Sequence, residues 1–163
     1  MRLELLPHQT MMHDHLVAHD RAGCFAGIGL GKTAATLAAF RTNVADGCAK
    51  AALIIAPMRV ANLTWPNEIA KWNDFKGFKV ERLRDVNDRP SGKAQIYLTS
   101  YDRLMRTETV RDAAGNKSYV SKLRYTDFSF ADTIIFDELT RAKNHTSERI
   151  NSIRPLLTTH LRW

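Results

Sequence analysis

Ala26-Gly27-Ile28-Gly29-Leu30-Gly31-Lys32-Thr33 is the stretch whose reading decides the fold. It follows a short apolar run, Cys24-Phe25-Ala26, and opens a segment of strong helix preference from Thr33 to Phe40. Strand, glycine-rich turn and helix in that order are what a phosphate-binding loop requires. Its glycines let backbone N–H groups turn inward around a phosphate, an approach that Cβ atoms would block. The helix behind adds the partial positive charge of its N-terminus. Lys32 is placed to reach β- and γ-phosphates, and the Thr33 hydroxyl to hold Mg²⁺. The expected nucleotide contacts are Ala26, Gly27, Gly29, Leu30, Gly31, Lys32 and Thr33. The competing reading is a glycine-rich turn that merely joins strand to helix. One departure stands out: the first glycine of the general pattern is Ala26 here.

The totals set the frame for this loop. A chain of 163 residues has the length of one domain with a real core. No apolar run reaches membrane-spanning length, and the N-terminus lacks the layout of a signal peptide. Cys24 and Cys48 are isolated, which fits a reducing compartment and gives no metal-site spacing. The expectation is a protein of the cytoplasm, or of the nucleus in a eukaryote, neither secreted nor membrane-bound. A formal charge of +7 fits a polyanionic partner, most simply nucleic acid.

Outward from the loop, a helix is expected over about His8 to His19, with Met11, Met12, Leu16 and Val17 on its apolar side. His15 and His19 lie one turn apart on it, but without a second ligand cluster they read as solvated side chains. Asn43 to Gly47 reads as a loop. Ala51-Ala52-Leu53-Ile54-Ile55-Ala56 is an uninterrupted apolar run, the pattern of a strand buried on both faces. Beyond Pro57, Thr64 is expected to cap a helix carrying Pro66, Glu68, Ile69 and Trp72. Phe78 to Leu83 and Ala94 to Leu98 are further strands, and Ser100 caps a short helix through Leu104. The basic stretch Arg106 to Arg124 reads as an inserted surface hairpin turning at Ala114-Gly115-Asn116-Lys117. Ala131 to Phe136 is another buried strand, and Ser147 begins a last helix that Pro155 ends or kinks. Apolar strands alternating with helices predict an α/β fold, a parallel sheet with helices on both faces.

Thr133-Ile134-Ile135-Phe136-Asp137-Glu138 is the second chemical station. The strand delivers two adjacent carboxylates at its C-terminal end, the edge where open α/β sheets bind ligands. Asp137 is expected to hold Mg²⁺ through water, opposite Thr33, and Glu138 to polarise the attacking water as general base. Two acids at a strand end are commonplace alone. About a hundred residues after a phosphate loop, in a βα pattern, they gain meaning, and Lys32, Asp137 and Glu138 become the candidate catalytic set.

Together these residues resemble the first RecA-like lobe of superfamily 2 DNA helicases and translocases, closest to the Swi/Snf type. Ala-x-x-Gly-x-Gly-Lys-Thr is the loop variant seen in that superfamily, and Gly29-Leu30-Gly31-Lys32-Thr33 matches the form typical of the Swi/Snf branch. Leu6-Pro7-His8-Gln9 resembles the adenine-reading Gln motif. Leu53-Ile54-Ile55-Ala56-Pro57 with Trp65 and Trp72 resembles a motif whose loop touches the DNA backbone. Leu98-Thr99-Ser100-Tyr101 resembles another backbone-contacting element. Asp137-Glu138-Leu139-Thr140-Arg141-Ala142-Lys143-Asn144 resembles that branch's Asp-Glu-Ala-His-Arg-x-Lys-Asn.

The resemblance implies a three-layer RecA-like P-loop NTPase lobe over residues 1–163, with a basic hairpin insert at about 106–124. It implies ATP and Mg²⁺ as cofactors, Gln9 as the residue that bonds the base, and duplex DNA bound through its phosphates without sequence preference. Pro57, Arg59, Thr99, Ser100, Tyr101, Arg141 and Lys143 are the candidate DNA contacts, Thr99 and Ser100 through backbone amides. Each has a plainer role available, as a solvated side chain or a helix cap, and Trp65 and Trp72 read as packing anchors. Leu139 and Thr140 depart from the family's Ala and His, the His being the residue that in the family couples the ATP site to the next motif, so the resemblance implies a different coupling here. The sheet is expected to lack its last strands. The second lobe, which in the family supplies arginine fingers, is expected in cis beyond this sequence or in trans. The alternative is a free-standing lobe that binds a protein partner as a decoy or inhibitor without turnover; a small-molecule kinase would not account for Gln9 or for Arg141 to Asn144.

Overall fold

The computed structural model describes residues 1–84, 88–123, 127–138 and 156. Its centre is β1, Ala52–Ala56, whose five residues are all buried. An apolar run with no polar alternation can be satisfied only by cover on both faces, and β1 has both. It pairs in parallel with β3, Ile96–Ser100, and with β6, Thr133–Phe136. A short outer strand, β2, Val80–Arg82, pairs in parallel with β3, so the sheet runs β2-β3-β1-β6. Among the described residues β6 is therefore an edge strand.

Strand alternation divides the core. Ala52, Ile54 and Ala56 face one side with Leu37, Phe40, Trp65, Ile69 and Phe75, under helices α2, Lys32–Ala45, and α3, Trp65–Lys71. Leu53 and Ile55 face the other, with Tyr97, Leu104, Phe128 and Leu156. Each fully buried aliphatic side chain contributes about 1.5–3 kcal/mol of transfer free energy, so β1 alone is a large share of the stability. The N-terminal helix α1, Pro7–Ala18, packs on α2. Its start is tied down by the Leu3 N–H, which donates to Asp74 Oδ2 at 2.8 Å, and by Arg41, whose Nη1 reaches Asp74 Oδ1 at 2.9 Å. No helix among the described residues is long and apolar enough to cross a membrane.

Several expectations are corrected. Cys24-Phe25-Ala26 is not a strand of the sheet, and Phe25 is fully exposed. Three apolar residues between Gly23 and Gly27 bury too little to hold a ladder. Helix α2 runs on to Ala45, past the loop expected from Asn43, because Asn43 is itself buried on its inner face. Met11, expected on the apolar side of α1, is exposed, and Leu16 is that helix's buried residue.

Thr64 is no helix cap. It lies inside a π-helical turn, Val60–Thr64, in which the Trp65 N–H donates to the Val60 carbonyl. Pro66 follows at once; lacking an N–H and crowding the preceding turn, it is accommodated by a local widening of this kind. Ser100 does cap α4, Tyr101–Leu104, accepting from the Arg103 N–H at 3.3 Å. The expected hairpin is present as β4, Met105–Arg111, and β5, Lys117–Leu123, an antiparallel sheet of its own. Most of the helix expected from Ser147, with Pro155, lies outside the described residues.

Candidate nucleotide and nucleic-acid site

The loop Ala26–Gly31 is exposed or half-buried and leads straight into the N-terminus of α2. Gly29 and Gly31 hold φ of +82° and +70°, the left-handed region that glycine adopts without penalty. Gly31 is needed twice over, since a Cβ there would overlap the side-chain nitrogen of Gln9. Gln9 Nε2 donates to the Leu30 carbonyl at 3.4 Å, while its Oε1 accepts from the Leu6 N–H at 3.0 Å. Two motifs more than twenty residues apart thus meet: the glutamine of α1 lies against the last turn of the loop.

Lys32 Nζ donates to the carbonyls of Ala26 and Gly27, at 2.9 and 2.8 Å. The ammonium is folded back over its own loop, and a phosphate would offer it charged acceptors in their place. Thr33 follows, half-buried, in the first turn of the helix. Nearby, burial pushes the Cys24 thiol above its ordinary value, against the opposing pull of the Lys32 cation.

The acidic pair stands at the C-terminal end of β6. Asp137 is held from three sides. Its N–H donates to the Ile55 carbonyl at 2.9 Å, continuing the β1–β6 ladder one residue further. Its carbonyl accepts from the Tyr101 hydroxyl at 2.8 Å. Its carboxylate Oδ2 accepts from the Trp65 indole Nε1–H, also at 2.9 Å. Trp65 is 2% exposed and Asp137 half-buried, so the donor end of this bond is covered. Glu138 follows with φ +55°, the one residue other than glycine with positive φ among those described. Such a backbone costs about 1–2 kcal/mol for an L-residue and aims Glu138 away from the strand direction. Among the described residues no hydrogen bond joins Lys32 or Thr33 to Asp137.

Trp65, expected to be a packing anchor, also bonds the acidic strand end, and Tyr101, expected at DNA, turns its hydroxyl to the Asp137 carbonyl instead. The available signal was that a buried indole N–H requires an acceptor, and an acidic strand end is a strong one. The Thr33 hydroxyl and the Asp137 carboxylate are both oxygen donors, the type that Mg²⁺ takes. Elsewhere, His13 bonds Thr42 Oγ1 at 3.0 Å and the His15 and His19 rings lie 4.6 Å apart. No cluster of three metal-ligating side chains occurs among the described residues.

The candidate DNA contacts fare unevenly. Arg59 is exposed in the helical turn after the half-buried Pro57. Thr99 and Ser100 are 2% and 1% exposed. Their hydroxyls are engaged internally, Thr99 Oγ1 donating to the Leu83 carbonyl at 3.4 Å and Ser100 Oγ capping α4. Tyr101 is buried with its hydroxyl on Asp137. In this conformation these three side chains do not face an external phosphate, and contact there would fall to backbone amides. Arg141 and Lys143 lie outside the described residues.

Comparison with known proteins agrees with this architecture. The family model of the SNF2-related domain matches residues 11–163. Protein p41 of Acyrthosiphon pisum secondary endosymbiont phage 1 is 33% identical over 105 residues, 61% of this chain and 23% of its own. Among solved structures, the Sulfolobus solfataricus SWI2/SNF2 ATPase core in complex with dsDNA superposes with a TM-score of 0.65 at 20% identity. That match covers 94% of this chain and 30% of the other, a likeness of fold. The chain thus spans about a quarter of the length of the curated relative.

Proposed function

We propose, on the premise that the chain belongs to the SNF2-related domain family and is a Swi/Snf-type ATPase lobe, that it binds Mg-ATP and engages the phosphate backbone of duplex DNA. The observation that supports this reading is the seating of the Gln9 amide against Gly31 and Leu30, at the end of the glycine-rich loop; its present bonds to Leu6 and Leu30 would have to give way to the base. Lys32 would transfer from the loop carbonyls to the β- and γ-phosphates, and Gln9 would bond the adenine. Thr33 and Asp137 would hold Mg²⁺, which neutralises charge on the phosphate oxygens. Trp65 bonds Asp137 Oδ2 and would keep the carboxylate oriented for its part in holding the metal. Glu138 would orient the attacking water.

One lobe does not complete this chemistry. An arginine placed against the γ-phosphate is worth roughly 10³–10⁵ in rate, and here it would come from a second RecA-like lobe in cis or in trans. Residues 1–163 therefore act as one lobe of a motor that translocates on duplex. The chain alone binds nucleotide weakly and turns it over very slowly. The test is ATP turnover with and without duplex DNA, beside Lys32→Ala. Turnover below about one per second is expected for the isolated lobe. Faster, DNA-stimulated turnover abolished by Lys32→Ala would mean that the chain completes its own cleft. Absence of both nucleotide and DNA binding would favour a lobe that serves only to bind another protein.

A further inference from the structure

The β4–β5 hairpin is the feature that the nucleotide and DNA readings leave unused. Its base is built into the fold. Ser100 ends β3, α4 follows without a loop, and β4 begins at the next residue, Met105. Leu104 is fully buried, and Met105 and Leu123, paired across the ribbon, pack on the same core face. The arm therefore leaves the lobe at the C-terminal edge of the parallel sheet, the edge that also carries Pro57, Arg59 and Asp137.

Beyond this base the ribbon has no core. Every residue from Thr109 to Val120 is exposed. A two-stranded ribbon in water is marginal, so its side chains are not there for packing. The register sorts them. Thr109 pairs with Tyr119 and Arg111 with Lys117, and alternation puts all four on one face. The acid of the ribbon is on the other face, where Glu108 pairs with Lys122 at 2.7 Å. At the turn, Asp112 is engaged by the N–H groups of Ala114 and Asn116 and by the Asn116 amide. Among the described residues neither Arg111 nor Lys117 has a carboxylate partner. Like charges directly opposite one another oppose strand pairing, so the hairpin tolerates an electrostatic cost at its tip.

We infer that this hairpin is a duplex-DNA arm, with Arg111, Lys117 and the 65%-exposed Tyr119 lying along the phosphate backbone. Charge complementarity selects the occupant: two cations without a carboxylate partner among the described residues, with hydroxyls and an aromatic ring, on a chain of net charge +7, fit a polyanion. A ribbon two strands wide also fits a duplex groove. This inference rests on the reading of the lobe as DNA-engaging.

The experiment is fluorescence anisotropy of the whole chain with a labelled duplex of arbitrary sequence across a salt series. Arg111→Ala/Lys117→Ala is compared with wild type and with Lys50→Ala/Lys93→Ala. The control removes the same charge near the starts of β1 and β3, at the opposite edge of the sheet. The expected result is a salt slope shallower by about two for the arm variant, at one per phosphate contact, and unchanged for the control. Equal losses in both variants, or no loss in the arm variant, would overturn the arm while leaving DNA binding by the lobe intact. Wild type without duplex affinity would overturn both readings. Weakened binding to poly-glutamate with duplex affinity unchanged would make the arm a protein-docking element and overturn the inference. Nucleotide affinity and unfolding temperature equal to wild type show that the arm variant is folded.

Discussion

The indole N–H of Trp65 donates to the carboxylate of Asp137 across 2.9 Å, joining residues 72 positions apart in the chain. Trp65 stands at the first turn of α3, behind the strand β1 that neighbours β6. The tryptophan therefore holds the orientation of the acid assigned to Mg²⁺. Trp65→Phe keeps most of the packing and removes the donor. A bond to a charged acceptor is worth about 1.5–3 kcal/mol, and denaturant unfolding is expected to show a loss of that order. Mg²⁺-dependent nucleotide affinity should fall while Mg²⁺-free affinity stays. Equal loss of both would mean that Trp65 acts only by packing.

Gly31 is constrained by its φ of +70° and by the Gln9 amide against it. Gly31→Ala is expected to cost about 1–2 kcal/mol for the backbone alone and to displace Gln9 as well. Thermal unfolding reads the first effect. The second is read by comparing ATP with GTP: the variant should lose discrimination between the bases, as Gln9→Ala should. A variant that still prefers adenine would remove Gln9 from base reading.

Glu138 carries its left-handed backbone at the cost of strain, and the residue type matters in two ways. Glu138→Gly relieves the strain and is expected to unfold no more easily than wild type, to within about 1 kcal/mol. Glu138→Val should destabilise by about 1–2 kcal/mol, because a β-branched residue tolerates this region worst. Both should abolish turnover in an assembled motor. Equal stability of the two variants would show that the backbone relaxes freely.

Asp74 gives the fold a pH dependence. The Leu3 N–H, and then the Arg41 guanidinium, hold its carboxyl below the ordinary 3.8. A folded-state value lower than the unfolded one stabilises the fold fully above the unfolded value, and the benefit is lost as pH falls through the folded value. Wild type should therefore lose stability from about pH 4 downwards, and Asp74→Asn should lose less. Asp112 and Asp127 are also lowered, chiefly by bonds from Asn116 and Ser129, but they are common to both proteins. Parallel curves for the two proteins would exclude Asp74 as the anchor.

How much of this was legible in the sequence follows from what each element depends on. Ala52–Ala56 and Thr133–Phe136 were readable because a doubly buried strand must be apolar without alternation. The glycine-rich turn into α2 and the carboxylates that end β6 were readable as local structure, because left-handed turns favour glycine and the apolar run of a buried strand stops where charged residues begin. Residues 24–26 form no strand because three apolar residues make one only if a sheet edge receives them. The partners of Trp65 and Tyr101 were hidden because a side chain's acceptor is set by register: Ile55 opposite Phe136 brings Asp137 beneath both. The π turn before Pro66 was missed because Thr64 has a good capping residue's chemistry and only the preceding turn shows it unused.

The most direct measurement is calorimetric titration of the chain with ATP and Mg²⁺, beside Lys32→Ala. Saturable one-to-one binding is expected, weakened about ten- to a hundredfold by the substitution, as for a lost charge-assisted bond of about 1.5–3 kcal/mol. Binding of equal strength in the two proteins, or none in wild type, would contradict that expectation.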